Sequence, residues 1–281
     1  MDRLANYHTH SRLDDGKGEL AEYAAAAAAK GFATLGFSGH APVPFESDWH
    51  MPAGLLPEYL STVRHLGGEY NGHVEILLGL EVDYIPGLLS VRSPAIRRLG
   101  LDYTVGSVHF LGQYGDGRWW TPDGPLPELE RGLRESFGGD ARGAVEHYYA
   151  LLGRMALESP PDIIGHFDLV KKNNRDGRFF SEGSPWYRRA ALEALEAVAR
   201  GGSILELNTG GLVRGTSGAL YPSEWILAEA LHREIPVTVN ADAHRPEDID
   251  GCFEEAFALL REVGYRRLTR LSGGRRIQEA L

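Results

Sequence analysis

The sequence predicts one α/β domain built as a barrel of seven parallel strands. Short continuous apolar runs alternate with helical segments, and no hairpin signal separates them, which is the pattern of parallel strands buried on both faces. Histidines and carboxylates stand at the ends of many of those runs. A barrel gathers the C-terminal ends of all its strands at one mouth, whereas an open doubly wound sheet collects ligands near its switch point. The 281 residues suffice for one large core. No Pro/Ser-rich linker or charge block divides them, so residues 1–281 read as a single domain.

The first strand ends in Asn6-Tyr7-His8-Thr9-His10. Residues i and i+2 of a strand share a face, so His8 and His10 can hold one ion together. Glu19 to Lys30, with its alanine run, is a strong helix stopped by Gly31. Thr34 to Ser38 is the second strand, with Gly39-His40 just beyond it. A proline-rich loop and a helix over Glu58 to Tyr70 lead to the third strand, Glu75 to Val82, which carries Glu81 at its tip. Pro94 to Leu99 is a short helical turn, and Asp102 to His109 is the fourth strand. Leu111 to Gly139, rich in Gly and Pro and carrying Trp119-Trp120, reads as a long excursion. A helix over Arg142 to Leu157 precedes strand five, Asp162 to His166. Pro185 to Arg200 is an amphipathic helix, and Ser203 to Asn208 is strand six. Ser223 caps a helix to Arg233, Pro236 to Asn240 is strand seven, and Asp242-Ala243-His244 follows. Gly251 to Val263 is the last clear helix, with a further short strand over Arg267 to Leu271.

The strand-end set is His8, His10, Asp15, His40, Glu81, His109, His166, Asp242 and His244. Any one of them can be a hydrogen-bonded structural group; their joint occurrence calls for metal. Imidazole with carboxylate suits Zn, Fe or Mn and disfavours Ca. Nine ligands exceed one tetrahedral ion but fit two or three, with Glu81 and Asp242 able to bridge. Such ions generate a hydroxide nucleophile and neutralise a transferring phosphoryl group, so no side chain is assigned as nucleophile. The remaining histidines, His50, His65, His73, His147 and His232, read as solvated.

A net charge of −10 argues against a nucleic-acid-binding surface. The single cysteine, Cys252, excludes an intramolecular disulfide and reads as a buried small side chain. Met1-Asp2-Arg3 runs straight into the first strand without an apolar leader, and no stretch is long enough to span a membrane. The expectation is a cytoplasmic protein acting on a small molecule, its oligomeric state open.

Tyr7-His8-Thr9-His10, Asp15-Gly16, Ser38-Gly39-His40, Gly79-Leu80-Glu81, Gly106-Ser107-Val108-His109, Gly165-His166 and Asp242-Ala243-His244 resemble, in matching order, the PHP (polymerase and histidinol phosphatase) phosphoesterases. Gly79 to Tyr84, Gly165 to Lys172 and Asn208 to Arg214 are most similar to its histidinol-phosphatase branch. The resemblance implies a distorted (β/α)7 TIM-like barrel, a trinuclear metal site at the strand mouth, and hydrolysis of L-histidinol phosphate in histidine biosynthesis. It also implies one ion on His8, His10, Glu81 and Asp242, a second on Glu81, His109 and His166, and a third on Asp15, His40 and His244. Gly39 departs from the acidic residue that many members carry there, and Asp14 is a rival to Asp15.

Arg214, Lys171 and Lys172 lie just past strand ends and are candidate phosphate contacts, Arg214 foremost because a guanidinium binds phosphate bidentately. Trp119 and Trp120 either close over a substrate or pack the excursion onto the barrel. Ser272-Gly273-Gly274-Arg275-Arg276 imitates a phosphate cradle but reads as a C-terminal turn. Three other functions are compatible with these residues: a related phosphoesterase with another substrate, a metal amidohydrolase, for which Lys171 is badly placed as a bridging lysine, and a metal-binding protein without turnover.

Overall fold

The computed structural model describes residues 4–281; the reading of Met1-Asp2-Arg3 lies outside them. Seven strands, β1 (Leu4–Asn6), β2 (Phe32–Phe37), β3 (Glu75–Asp83), β4 (Tyr103–Ser107), β5 (Ile163–Ile164), β6 (Ile204–Asn208) and β7 (Val237–Asn240), pair in chain order, every ladder parallel. The barrel is nearly closed. Among the described residues no ladder joins β1 to β7. At the base of the seam the Tyr7 amide donates to the Asn240 side chain (2.8 Å), and above it His10 N–H donates to Ala243 O (2.9 Å) and Ala243 N–H to His8 O (3.0 Å). The segments carrying four candidate ligands therefore close the barrel beyond the strand ends, which draws both sides of the seam into the mouth.

The bottom of the barrel is packed with Tyr7, Leu77, Tyr103, Val105, Ile163, Ile204 and Leu271. Tyr103 lies across β2 and β3 where Gly36 and Gly79 leave room: a Cβ at either would sit within 2.5 Å of its ring or hydroxyl. Its hydroxyl lies 2.7 Å from Tyr7 O and 2.9 Å from Phe37 O, so the polar tip is satisfied inside the core.

Helices Leu20–Ala29, Leu56–Glu69, Ala141–Glu158, Pro185–Gly201, Glu224–His232 and Phe253–Val263 stand within a few residues of their expected positions. The first opens with a reciprocal cap, the Glu22 carboxylate accepting from the Glu19 amide at 2.7 Å. The excursion after β4 is more ordered than expected. Gly112–Gln113 pairs antiparallel with Trp119–Trp120, and Leu126–Phe137 is a helix whose Leu129 and Leu133 face inward. The flanking Gly and Pro residues hid that spacing. The chain also ends in a hairpin, Arg267–Ser272 against Arg275–Ala280, so the Gly273-Gly274 turn is the expected one but the strand after it was not foreseen. Cys252 is half-buried, not buried, because it precedes the last helix at the surface. Among the described residues no helix is long and apolar enough to cross a membrane.

Candidate metal centre

All nine strand-end residues meet at the barrel mouth, around Glu81 at the end of β3. Its Oε2 lies 3.1 Å from His8 Nε2, 3.1 Å from His40 Nδ1 and 3.4 Å from His10 Nε2. Its Oε1 lies 2.9 Å from His166 Nε2 and 3.7 Å from His109 Nε2. Asp242 Oδ1 stands 3.7 Å from His8 Nε2 and 3.4 Å from His10 Nε2. Asp15 faces His244 Nε2 at 3.1 Å and His40 Nε2 at 3.8 Å. Four overlapping triads bring their ligand atoms within 4.8 Å: His8, His10 and Asp242; His8, Glu81 and His166; His10, His40 and Glu81; His10, Asp15 and His244.

These donors fit divalent ions. His10 Nε2, Asp15 Oδ1 and His40 Nδ1 are buried without any hydrogen-bond partner, a costly arrangement unless something else binds them. Three carboxylates behind the cluster set the imidazole tautomers. His8 Nδ1–H donates to Glu206 (2.7 Å), His10 Nδ1–H to Asp14 (2.6 Å) and His109 Nδ1–H to Asp83 (2.9 Å), which turns each Nε2 toward the cluster, where it would ligate an ion once that ion displaces its proton. Asp14 is thus placed behind His10 while Asp15 faces the cluster. Asp14 also accepts from the His40 amide (3.0 Å), and its Oδ1 would stand 3.2 Å from a Cβ on Gly39. A carboxylate from another segment occupies the space an acidic residue at position 39 would need.

Sequence reasoning missed Glu206 and Asp83. A signal existed for each: Asp83 shares the face of Glu81 two residues earlier, and Glu206 is the one charged residue in an apolar strand. His50, read as solvated, is a further correction. It is buried and bonded to Asp83 at 2.8 Å, because the loop after β2 folds back over the mouth.

Electrostatics in the metal-free cluster follow from crowding carboxylates around imidazoles. Burial opposes the charged form of His10, but Asp14 with Asp242 and Asp15 outweighs it and pushes the pKa up to about 10. His109 is likewise opposed by burial and pushed up to about 9, chiefly by Asp83. His40 is pulled down to about 4 by burial, against the pull of Glu81. Burial works against the charged forms of Glu81 and Asp242, yet the imidazoles, and for Asp242 Arg214 first of all, hold both well below the carboxylate range.

The cluster forms the floor of a cleft of about 830 Å³. Phe45, Trp49, Phe110 and Trp119 build an aromatic wall, with Glu46, Asp48, Asp123 and Glu128 also on its lining. Trp119 stacks on Phe45 with ring centroids 5.4 Å apart, whereas Trp120 is buried and donates to Ser136 at 2.8 Å. Both border the cleft, Trp119 as its wall and Trp120 chiefly as packing for the excursion.

Arg214 lines the cleft, its guanidinium 2.9 Å from Asp242 Oδ2 and 2.9 Å from His244 Nδ1. It folds back over Gly210, where a Cβ would come within 3.0 Å of the guanidinium. Lys172 also lines the cleft, held by Asp123 at 3.0 Å. Lys171 does not reach it. Its ammonium binds Asp168 (2.8 Å) and Ser223 (2.5 Å) in a separate hollow, because consecutive residues of the tight turn after β5 point to opposite sides.

Residues 6–210 match the family model described as PHP domain. The chain belongs to that family. A Deinococcus radiodurans protein named "Probable histidinol-phosphatase" is 33% identical over 96% of this chain and 97% of its own length. A Bacillus subtilis protein named histidinol-phosphatase is 30% identical over 84% of this chain and 90% of its own length. The crystal structure of histidinol phosphate phosphatase from Lactococcus lactis, complexed with zinc, L-histidinol and phosphate, superposes with a TM-score of 0.71 at 20% identity, covering 98% of this chain and 99% of that one. At that identity the likeness establishes the fold, the distorted seven-stranded barrel.

Proposed function

We propose that this PHP protein is a metal-dependent phosphomonoesterase that hydrolyses L-histidinol phosphate to L-histidinol and phosphate. The observation that carries the reading is the gathering of eight ligand-type side chains around a ninth, Glu81, at the floor of a cleft whose walls also carry Arg214 and Lys172. Near full-length relatives named for that activity supply the substrate.

His8, His10, Asp15, His40, Glu81, His109, His166, Asp242 and His244 are the proposed ligands of two or three ions, Zn, Fe or Mn. When bound, such ions supply an activated water and neutralise charge on the phosphoryl group. The chain's own residues do the rest. Glu206, Asp14 and Asp83 lock the imidazoles. Arg214 and Lys172 orient the phosphate, while the aromatic and acidic wall suits the cationic amino-imidazole end of histidinol. The partner is this small molecule, in the cytoplasm, with neither nucleic acid nor membrane involved. A metal amidohydrolase is disfavoured by Lys171, which is spent on Asp168.

The test is phosphate release from L-histidinol phosphate beside sugar phosphates, nucleotides and a phosphodiester. A strong preference for histidinol phosphate is the expected result. Equal or better turnover of another ester would discard this substrate and keep the phosphatase.

A further inference from the structure

The loop between β2 and the next helix, residues 41–52, supplies Phe45, Glu46, Ser47, Asp48 and Trp49 to the cleft lining. His50 is its buried imidazole. Ser47 Oγ–H donates to His50 Nδ1 at 2.7 Å, and His50 Nε2–H donates to Asp83 Oδ2 at 2.8 Å. The other Asp83 oxygen accepts from His109 Nδ1–H at 2.9 Å, and His109 Nε2 faces Glu81. Every link in this chain has one donor and one acceptor. Orienting His109 needs only one oxygen of Asp83; the second is given to a loop that forms the substrate wall. The loop touches the cluster elsewhere too, Met51 N–H reaching His40 O at 3.2 Å and Trp49 packing edge-on against the rings of His40 (4.7 Å) and His109 (5.3 Å).

We propose that His50 is a positioning residue that ties the cleft wall to the metal subsite of His109 through Asp83, so that metal retention and wall order are coupled. This rests on the metal reading of the cluster. Coupling between two events is reciprocal: an ordered wall holds the ion, and the ion orders the wall.

Zinc affinity of the stripped protein, measured by competition with a chromogenic chelator, tests it, with kcat and KM taken at saturating zinc. His50→Ala is expected to weaken one zinc equivalent several-fold, less than the ~10–100-fold seen when the direct partner of a metal-ligating histidine is removed, and to raise KM. His50→Gln, whose amide can still donate to Asp83, is expected to recover most of the affinity. His50→Asn, too short to reach, should behave like alanine and serves if the alanine protein does not fold. Wild-type zinc affinity in folded His50→Ala or His50→Asn, with only KM raised, would overturn the coupling and leave His50 as wall packing. Failure of the wild-type protein to bind zinc would overturn the metal reading itself, and needs no variant to detect.

Discussion

The two ends of this barrel are built from the same strands with opposite chemistry. The bottom is closed by tyrosine and aliphatic side chains whose few polar atoms are satisfied. The mouth packs six imidazoles and three carboxylates together and leaves several buried ring nitrogens and a carboxylate oxygen without partners. The difference teaches where the fold draws its stability and where it spends it. A buried polar atom without a partner costs about 1–3 kcal/mol, so the mouth is tolerable because the floor is tight and because ions can complete it.

If that division is right, the two ends respond differently to substitution. Glu81→Gln removes the charge at the centre of the cluster, and the largest effect is expected there: phosphatase activity at background and at least one zinc equivalent lost, while circular dichroism shows the fold retained. Tyr103→Ala, at the other end, opens a cavity against Gly36 and Gly79 and should cost ~3–5 kcal/mol in denaturant unfolding. Zinc stoichiometry in the surviving folded fraction should not change. Arg214→Ala should lower kcat/KM by ~10–100-fold, the worth of a charged hydrogen-bond pair, and Arg214→Lys should recover only part because one fork is lost.

A smaller effect separates the ends by pH. His10 and His109 have folded-state pKa values of about 10 and about 9, above the usual imidazole value. The stability they contribute to the metal-free protein is therefore present below pH ~6.5 and lost as pH rises through 9 to 10. Ions would take over the positive charge, so the zinc-loaded protein should keep its Tm over that window while the stripped protein declines. Parallel decline of both would place the titrating groups outside the cluster. Lys171→Met should have the least effect on catalysis, KM staying within about twofold, since its hydrogen bonds with Asp168 and Ser223 place it outside the cleft.

The ends also differed in how readable they were. Apolar runs and the residues after them sufficed for the barrel and the nine candidate ligands, because a short continuous apolar run announces both a buried strand and its tip. What lay hidden depended on chain folding back from elsewhere. His50 reaches Asp83 from a proline-rich loop, and Asp14 fills the space beside Gly39. Lys171 and Lys172, adjacent in sequence, part to different hollows on a single tight turn. The helix Leu126–Phe137 was obscured by its neighbours, although its leucine spacing is regular.

The most direct test of the account is a zinc titration of chelator-stripped protein with phosphate release from L-histidinol phosphate followed at each addition. Activity absent at the start, rising with two or three equivalents bound and then level, is the predicted result. Turnover by fully stripped protein, or stoichiometric zinc binding with no turnover, would contradict it.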